Sequence, residues 1–439
     1  MLVWCFEAHL TLGGASRRMA PMPDLKALVN KTVSFRFCGA ELRLDLSHAL
    51  FSSFDVDVGT KLLFKAVGRD AVLAGAKRVL DAGSGVGVIG LAIAAAFPAA
   101  EVTLRDRDLL AVAFSERNRR ANHLDNAKVE PGLIGSGGLG GPWDFILSNV
   151  PAKAGGPVIA AFIAQAAAAL APGGRLGIVV VKPLVDEVRA LLTVQGFELV
   201  TEERGAMHRA FVCSLGEGRT PGFPSGDAKG NPLSPGCFDL SAYVRRTGGF
   251  KLFGKIYTAR GFWGLPDFDT IGYPQLAATE LVSRFASGGK IDESLVINPG
   301  VGHAALWIAA SLGPKRLRLA GRDLLALHAA RENLARIDQV SNEDPNESMA
   351  VELVDVLSLD GVEEASLDLL LDFADPVPEY DWVEPTWSRA LRLLCPGGTL
   401  VIAAPPTELV RLERRRPSGF RLLGEKRKKG ASAAAWRRT

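Results

Sequence analysis

The chain has 439 residues, of which 48% are hydrophobic and 23% are charged, and its formal net charge is +3. This length exceeds one typical hydrophobic core, so we expect two or three domains. The composition is that of a globular protein, and the small net charge gives no global electrostatic reason to expect nucleic-acid binding. No apolar run is long and charge-free enough to predict a membrane span.

The cysteines are spread along the chain, and none forms a Cys-x-x-Cys pair: Cys5, Cys38, Cys213, Cys237 and Cys395. Their odd number and wide spacing argue against a disulfide framework or a zinc site and indicate a reducing, cytoplasmic location. The histidines are equally scattered, so no metal site is predicted. We interpret residues 1–30 as a loosely ordered N-terminal extension, because its charge follows the apolar run, whereas a secretory signal has the opposite order. Met19 and Met22 are alternative start positions within it.

The first half of the chain alternates β-branched runs with helix-forming runs. Helices are predicted at 87–97, 109–123, 158–170 and 184–195. Strands are predicted at 78–83, 101–108, 128–133, 145–149, 173–182, 197–204 and 208–215. This order indicates a parallel sheet covered by helices on both faces. Only a short turn separates the last two strands, which predicts a closing antiparallel hairpin.

The same plan recurs after residues 217–238, a Gly-, Pro- and Ser-rich stretch that we interpret as a linker. "SLVINPGVGHAALWIAASL" (294–312) parallels "RVLDAGSGVGVIGLAIAAA", and "LDLLLDFADPVPEY" (367–380) parallels "WDFILSNVPAKAG". A period of this length is typical of a domain duplication. The sequence therefore predicts an α/β protein with a first domain at 31–216 and a second at 239–439.

A cofactor site is predicted where the first of these strands meets its helix. Asp81 ends the strand, and three glycines follow it: Gly83, Gly85 and Gly87. Glycines let the backbone turn sharply and approach a ligand closely; the alternative is a tight turn without a ligand. Asp106 lies about 20 residues further on, where a carboxylate meets ribose hydroxyls in dinucleotide-type sites. Asp108 is the neighbouring alternative for this role, unless it caps the following helix.

The Asp-x-Gly-x-Gly-x-Gly pattern with this second acid resembles motif I of class I S-adenosylmethionine-dependent methyltransferases. The segment "LFSSFDVDVGTKLLFKAV" (50–67) resembles the stretch before motif I in the methyltransferase small-domain family, although a plain helix start capped by Asp57 is an alternative. That family includes ribosomal RNA guanine-amine methyltransferases with tandem domains, one of them degenerate. The resemblance implies two Rossmann-like domains and S-adenosylmethionine as cofactor. It places Asp81 toward the methionine end and Asp106 at the ribose.

The stretch "SNVPAKAG" resembles the catalytic loop of amine-directed members, in which the fourth strand ends in Asn-Pro-Pro-aromatic. There the Asn carbonyl and the next backbone carbonyl accept both hydrogens of the target amine, which aligns its lone pair with the methyl group. The resemblance assigns catalysis to Asn149, Val150 and Pro151. Because Ala152 replaces the stacking aromatic, either another aromatic supplies the contact or the substrate is not a flat base.

Three residues near this loop are candidates for substrate binding. Phe51 and Phe54, from the segment before motif I, are the candidates for the missing stacking contact. Lys153 is a candidate for a substrate phosphate, with a solvated loop lysine as the alternative.

The second half lacks the predicted site residues. In our sequence alignment Asn298 replaces Asp81, Ala304 replaces Gly87, Gly321 replaces Asp106, Phe373 replaces Asn149 and Asp375 replaces Pro151. We therefore predict that the second domain is a non-catalytic copy and that His303 fills its emptied pocket. In the tandem ribosomal RNA enzymes the degenerate copy comes first, whereas here it comes second.

The end of the second domain is basic, and it contains Trp436 as a possible stacking group. The basic residues are Arg411, Arg414, Arg415, Arg416, Arg421, Lys426, Arg427, Lys428, Lys429, Arg437 and Arg438. They predict an RNA-binding surface, unless they only solvate an edge hairpin.

The predicted activity is N-methylation of an exocyclic amine of RNA, with guanine of ribosomal RNA favoured. The alternatives are a small-molecule or protein-amide N-methyltransferase and a non-catalytic RNA- or protein-binding module. The sequence leaves the oligomeric state open and is compatible with a monomer.

Overall fold

The computed structural model describes residues 25–50, 54–216, 238–341, 349–357, 359 and 361–439. These residues form two compact units, 25–243 and 244–439, called here the first and second unit. Residues 1–24, Phe51 and residues 217–237 lie outside the described residues, and so do the predictions made for them. Within the described residues, no helix combines the length and the apolar character that crossing a bilayer requires.

The first unit begins with a short 3-10 helix at Leu25–Leu28 and a two-stranded hairpin, followed by alternating helices and strands. Its helices are α1 (Val58–Val67), α2 (Ala71–Gly75), α3 (Val88–Ala96), α4 (Leu109–Ala121), α5 (Gly156–Ala169) and α6 (Val185–Val194). Its strands are β1 (Lys31–Phe37), β2 (Ala40–Leu46), β3 (Arg78–Ala82), β4 (Glu101–Asp106), β5 (Ala127–Pro131), β6 (Trp143–Asn149), β7 (Leu170–Val181), β8 (Phe197–Arg204) and β9 (His208–Leu215).

Seven of these strands form one mostly parallel sheet in the order β5-β4-β3-β6-β7-β9-β8. Strand β9 runs antiparallel to both β7 and β8, as predicted for the closing hairpin. The central strands β3 and β6 are mostly buried because helices cover both faces of the sheet. Helix α3 packs so closely on the sheet that a Cβ at Gly90 would lie 2.5 Å from Leu104 Cγ. This sheet brings the carboxyl ends of β3, β4 and β6 to one edge.

The sequence did not predict the hairpin of β1 and β2, which lies against α3 and α4. Arg117 pairs with Asp45 at 2.8 Å, and Asn118 exchanges hydrogen bonds with the Asp45 backbone. Because Asn118 also donates to Val86 O at 2.9 Å, the hairpin is tied to the turn between β3 and α3.

The second unit repeats this plan, again with an added hairpin of β10 (Val244–Leu252) and β11 (Lys255–Phe262). Its helices are α7 (Tyr273–Phe285), α8 (His303–Leu312), α9 (Leu324–Ser341), α10 (Val383–Leu393) and α11 (Pro406–Arg414). The remaining strands are β12 (Glu293–Ile297), β13 (Arg316–Gly321), β14 (Ala350–Asp355), β15 (Leu367–Phe373), β16 (Leu394–Ala404), β17 (Phe420–Lys428) and β18 (Ala431–Arg438). They form a sheet in the order β14-β13-β12-β15-β16-β18-β17, which matches that of the first unit strand for strand.

The matching strands correct two pairs of our sequence alignment. Gly83 N donates to Arg105 O, and Asn298 N makes the same bond to Ala320 O, so Asn298 corresponds to Gly83. Asp81 therefore corresponds to Val296, not to Asn298. Gly87 and Gly302 are both left-handed residues at a helix N-terminus, so Gly302, not Ala304, corresponds to Gly87. The sequence alignment was wrong here because it placed the two turns two residues out of register.

The basic residues at the end of the second unit are mostly engaged within it. The ion pairs join Arg411 to Glu408, Arg415 to Asp381, Arg416 to Glu413 and Lys426 to Glu280. Arg437 and Arg438 donate to backbone carbonyl oxygens. The Trp436 ring is fully buried against Trp387, and its Nε1 donates to Glu413 Oε2 at 2.8 Å. The prediction that Trp436 stacks on RNA is therefore wrong, because its ring belongs to the core.

Candidate active site

The turn between β3 and α3 is built from left-handed glycines and opens a space at the carboxyl edge of the first sheet. Gly83 and Gly85 have φ angles of 82° and 58°. A Cβ at either position would meet nothing within 4 Å. The backbone amides of Gly83 and Ser84 both donate to Arg105 O, at 2.8 and 3.0 Å. The turn is thus anchored to β4 while its outer side stays open, as a ligand cradle requires.

Gly87 is needed for packing inside the protein. Its φ is 91°, and a Cβ there would lie 2.8 Å from Leu91 Cδ1 and 3.0 Å from Ser115 Oγ. The Ser115 hydroxyl donates to Gly85 O at 2.8 Å, which holds the turn from the side of α4. Sequence reasoning missed Ser115 and Asn118, although two polar residues three positions apart on the buried face of α4 were a usable signal.

Asp81 is fully buried behind this turn. Its Oδ2 accepts the backbone amide of Gly90 at 2.7 Å, while Oδ1 has no hydrogen-bond partner among the described residues. Burial raises the pKa of Asp81 to about 7, the Gly90 amide opposes the rise, and the nearby Asp106 carboxylate adds to it. A nearby cation would stabilise the charged form of this buried carboxylate, whose Oδ1 can still accept a hydrogen bond.

Asp106 ends β4 and faces the same turn. One carboxylate oxygen accepts the Gly85 amide at 2.8 Å, and the other accepts the Asp108 amide at 2.8 Å. Asp108 caps α4, because its Oδ1 accepts Leu110 N at 2.9 Å. Of the two predicted acids, Asp106 is thus the one joined directly to the glycine turn.

Asn149 lies at the end of β6 and is half-buried. Its Nδ2 donates to Asp57 Oδ2 at 2.8 Å and to Thr60 Oγ1 at 3.2 Å. Both of these side-chain bonds to described residues run through Nδ2, so the Oδ1 carbonyl can accept a hydrogen from a substrate. Val150 is buried, and its backbone amide donates to Val179 O at 3.0 Å. The next three residues are exposed: Pro151, Ala152 and Lys153.

The remaining substrate-binding candidate among the described residues is Phe54, whose ring is 66% exposed and lies edge-on to His48 at 5.0 Å. Met207 and Val58 are also exposed apolar residues near this edge of the sheet. Val58 precedes Gly59 in the chain, and Met207 precedes His208. Gly59 and His208 lie close together, because a Cβ at Gly59 would be 3.1 Å from the His208 ring. The described residues contain no group of three or more His, Cys, Asp or Glu that could hold a metal ion.

Comparison with known families agrees with this geometry. Residues 41–205 match the methyltransferase small domain. The first unit is a methyltransferase small domain. Its matched range runs from β2 to the end of β8 and contains the glycine turn, both acids and Asn149. The predicted family is confirmed.

Two curated relatives align with part of the chain. Ribosomal RNA small subunit methyltransferase C of Pasteurella multocida is 35% identical over 143 residues, which are 32% of this chain and 42% of that protein. Release factor glutamine methyltransferase of Deinococcus radiodurans is 35% identical over 123 residues, which are 23% of this chain and 44% of that protein. The chain thus spans less than half the length of these two relatives.

One solved structure aligns with both units of the chain. The T. thermophilus 16S rRNA N2 methyltransferase, in complex with AdoMet and guanosine, aligns with 94% of this chain and 100% of that chain. The TM-score is 0.65 at 16% sequence identity. This likeness concerns the fold, and it confirms the predicted α/β architecture of two tandem methyltransferase-like domains.

The second unit keeps the shape of the methyltransferase small domain but fills the space above its turn. Gln275, on α7, accepts from Ala304 N at 3.1 Å and donates to Pro299 O at 3.3 Å. Its Nε2 lies 3.7 Å from where a Cβ of Gly300 would be, and Gly300 corresponds to Gly85. The side chain of Asn298, in place of Gly83, donates to Phe373 O at 3.0 Å.

His303 is enclosed in the same unit. Its ring nitrogens lie 3.1 Å from the Tyr257 hydroxyl and 3.3 Å from Asp267 O. Burial lowers the pKa of His303 to about 4, which the Asp267 carbonyl only partly opposes. A neutral, fully buried histidine with both nitrogens engaged is a packing residue.

Proposed function

We propose that the protein is an S-adenosylmethionine-dependent N-methyltransferase whose catalytic domain spans residues 31–216. The observation that carries this proposal is the oriented amide of Asn149 at the same sheet edge as the open glycine turn. Residues 239–439 form a degenerate, non-catalytic domain that helps to bind the substrate. The protein acts in the cytoplasm.

The residues of the first unit fit S-adenosylmethionine. Two buried polar atoms next to the turn, Asp81 Oδ1 and Ser84 Oγ, have no hydrogen-bond partner among the described residues. The space beside Gly83 and Gly85 is open. Asp81 would face the cationic methionine end, and Asp106 would accept ribose hydroxyls. The cofactor supplies an electrophilic methyl group.

The chain's own residues would position the acceptor amine. Asn149 Oδ1 and the backbone carbonyl of Val150 accept its two hydrogens, so the nitrogen lone pair is directed toward the cofactor site. Such alignment can lower the barrier by several kcal/mol. Pro151 limits the conformations of the loop that follows.

We favour an exocyclic amine of RNA, guanine of ribosomal RNA in particular, as the acceptor. The name of the Pasteurella relative supports this choice, and so does the guanosine in the T. thermophilus structure. A protein glutamine amide is the second candidate, since the Deinococcus relative is 35% identical and is named for that substrate. Ala152, which provides no stacking ring, keeps the second candidate open.

The test is transfer of a radiolabelled methyl group from S-adenosylmethionine to extracted RNA, protein and metabolite fractions. We expect label in RNA, its loss in Asn149→Ala, and unchanged cofactor affinity in that variant. Asn126→Ala is a matched control, because Asn126 donates to backbone carbonyls of Ala94 and Ala100, away from the turn. Label in the protein fraction would favour the glutamine amide, and failure of the protein to bind S-adenosylmethionine would refute the enzyme itself.

A further inference from the structure

Asp57 joins two parts of the first unit that are 92 residues apart in the chain. Its Oδ2 accepts the Thr60 backbone amide at 3.0 Å, which caps the N-terminus of α1. The same oxygen accepts Asn149 Nδ2 at 2.8 Å. A cap needs only the first of these bonds, so the second calls for its own explanation.

The contact with Asp57 determines which way the Asn149 amide faces. A carboxylate can only accept hydrogen bonds, so the amide atom beside it has to be the NH2 group. Thr60 Oγ1, at 3.2 Å from Nδ2, holds the same group. With the nitrogen fixed on this side, the Asn149 carbonyl oxygen is presented on the other side. A freely rotating amide would also present its NH2 group, which cannot accept a hydrogen from an amine.

We propose that Asp57 is a positioning residue, which holds the Asn149 amide in the one orientation that can accept a hydrogen from the methyl acceptor. This inference rests on the proposed function and adds a residue to its site. It also explains Gly59, since a Cβ there would lie 2.9 Å from Asp57 Oδ2 and would displace the carboxylate.

Substitutions at Asp57 separate positioning from helix capping. Serine caps helices about as well as aspartate, but its shorter side chain cannot reach Asn149 while it caps α1. Asparagine offers a carbonyl oxygen where Asp57 Oδ2 lies and can accept both bonds. Asp70→Ser is the matched control, because Asp70 also caps a helix, α2, through Val72 N at 2.8 Å and has a second partner, Arg175 at 3.3 Å, but no hydrogen bond to Asn149.

The experiment measures kcat and KM with labelled S-adenosylmethionine and extracted RNA, cofactor affinity by calorimetry, and Tm. For Asp57→Ser we expect kcat to fall about 10- to 100-fold, as for misplaced catalytic groups, with the Tm and the cofactor affinity close to wild type. Asp57→Asn should restore turnover to within about threefold of wild type, because it keeps an acceptor in place. Asp70→Ser should leave kcat unchanged.

A second readout does not depend on activity. The side-chain amide of Asn149, identified in a nitrogen-15 NMR spectrum by its absence in Asn149→Ala, should shift and exchange faster with water in Asp57→Ser. An unchanged signal or an unchanged kcat in Asp57→Ser would overturn the positioning role while the enzyme stays active. An inactive wild-type protein would instead overturn the proposed function, and the NMR signal would still decide whether Asp57 orients the amide.

Discussion

A methyl group added to the glycine turn should weaken cofactor binding by a predictable amount. Gly83→Ala places a Cβ in the open space beside the turn, at φ 82°. Alanine in the left-handed region costs about 1–2 kcal/mol of stability, but this strain is present with and without ligand and cancels from the affinity. The methyl group itself enters the space assigned to the cofactor, where overpacking costs about 1–3 kcal/mol, or about 5- to 150-fold in affinity.

The hairpin of β1 and β2 supplies a matched control. Gly39 has φ 84°, and a Cβ there, as at Gly83, would meet nothing within 4 Å, but Gly39 lies in the turn between those strands. Gly39→Ala should therefore lower the Tm about as much as Gly83→Ala and leave the calorimetric Kd for S-adenosylmethionine unchanged. Equal affinities for both variants and wild type would refute the placement of the cofactor over this turn.

Three further outcomes follow from the structure. The pKa of Asp81 is about 7 in the folded protein, above the usual 3.8, so the wild type should lose stability as pH rises from about 4 to about 7. Asp81→Asn lacks this titration and should become more stable relative to wild type over that range, measured by urea unfolding without ligand. A stability difference that does not change with pH would contradict this. Calorimetry should give one bound cofactor per chain, since Gln275 and Asn298 fill the second turn, and a second equivalent site would refute this. Trp436→Ala should lower the free energy of unfolding of the second unit by about 3–5 kcal/mol, measured by chemical unfolding. A variant that keeps its stability but binds RNA more weakly would instead support a role of Trp436 in stacking on RNA.

Much of the fold could be read from the sequence because its signals are local. The Val-rich runs and the glycines between them predict the parallel sheet and the closing hairpins. The hairpin of β1 and β2 was missed because nothing in its own residues shows where it packs. Its position depends on contacts such as Arg117 with Asp45, which are 72 residues apart.

The site was predictable where a motif carries it and unpredictable where side chains meet across the fold. Spacing from the glycines predicts an acid at Asp106 or Asp108, and the resemblance to motif I predicts the role of Asp81. The bond from Asn149 to Asp57 joins two separate segments, and no spacing rule predicts it. The register error at Asn298 has the same origin, because only the backbone bond to Ala320 O shows that it replaces a glycine.

The second unit lacks both partners of the Asp57–Asn149 bond. In the second unit Gly272 stands at the N-terminus of α7, where Asp57 stands in the first, and it has no side chain to cap the helix. Phe373 ends β15 where Asn149 ends β6. Both partners are therefore missing from the same copy, in which the side chains of Gln275 and Asn298 also fill the space above the turn. A cap that served α1 alone would have no reason to disappear together with the amide, so the loss of both supports a shared role.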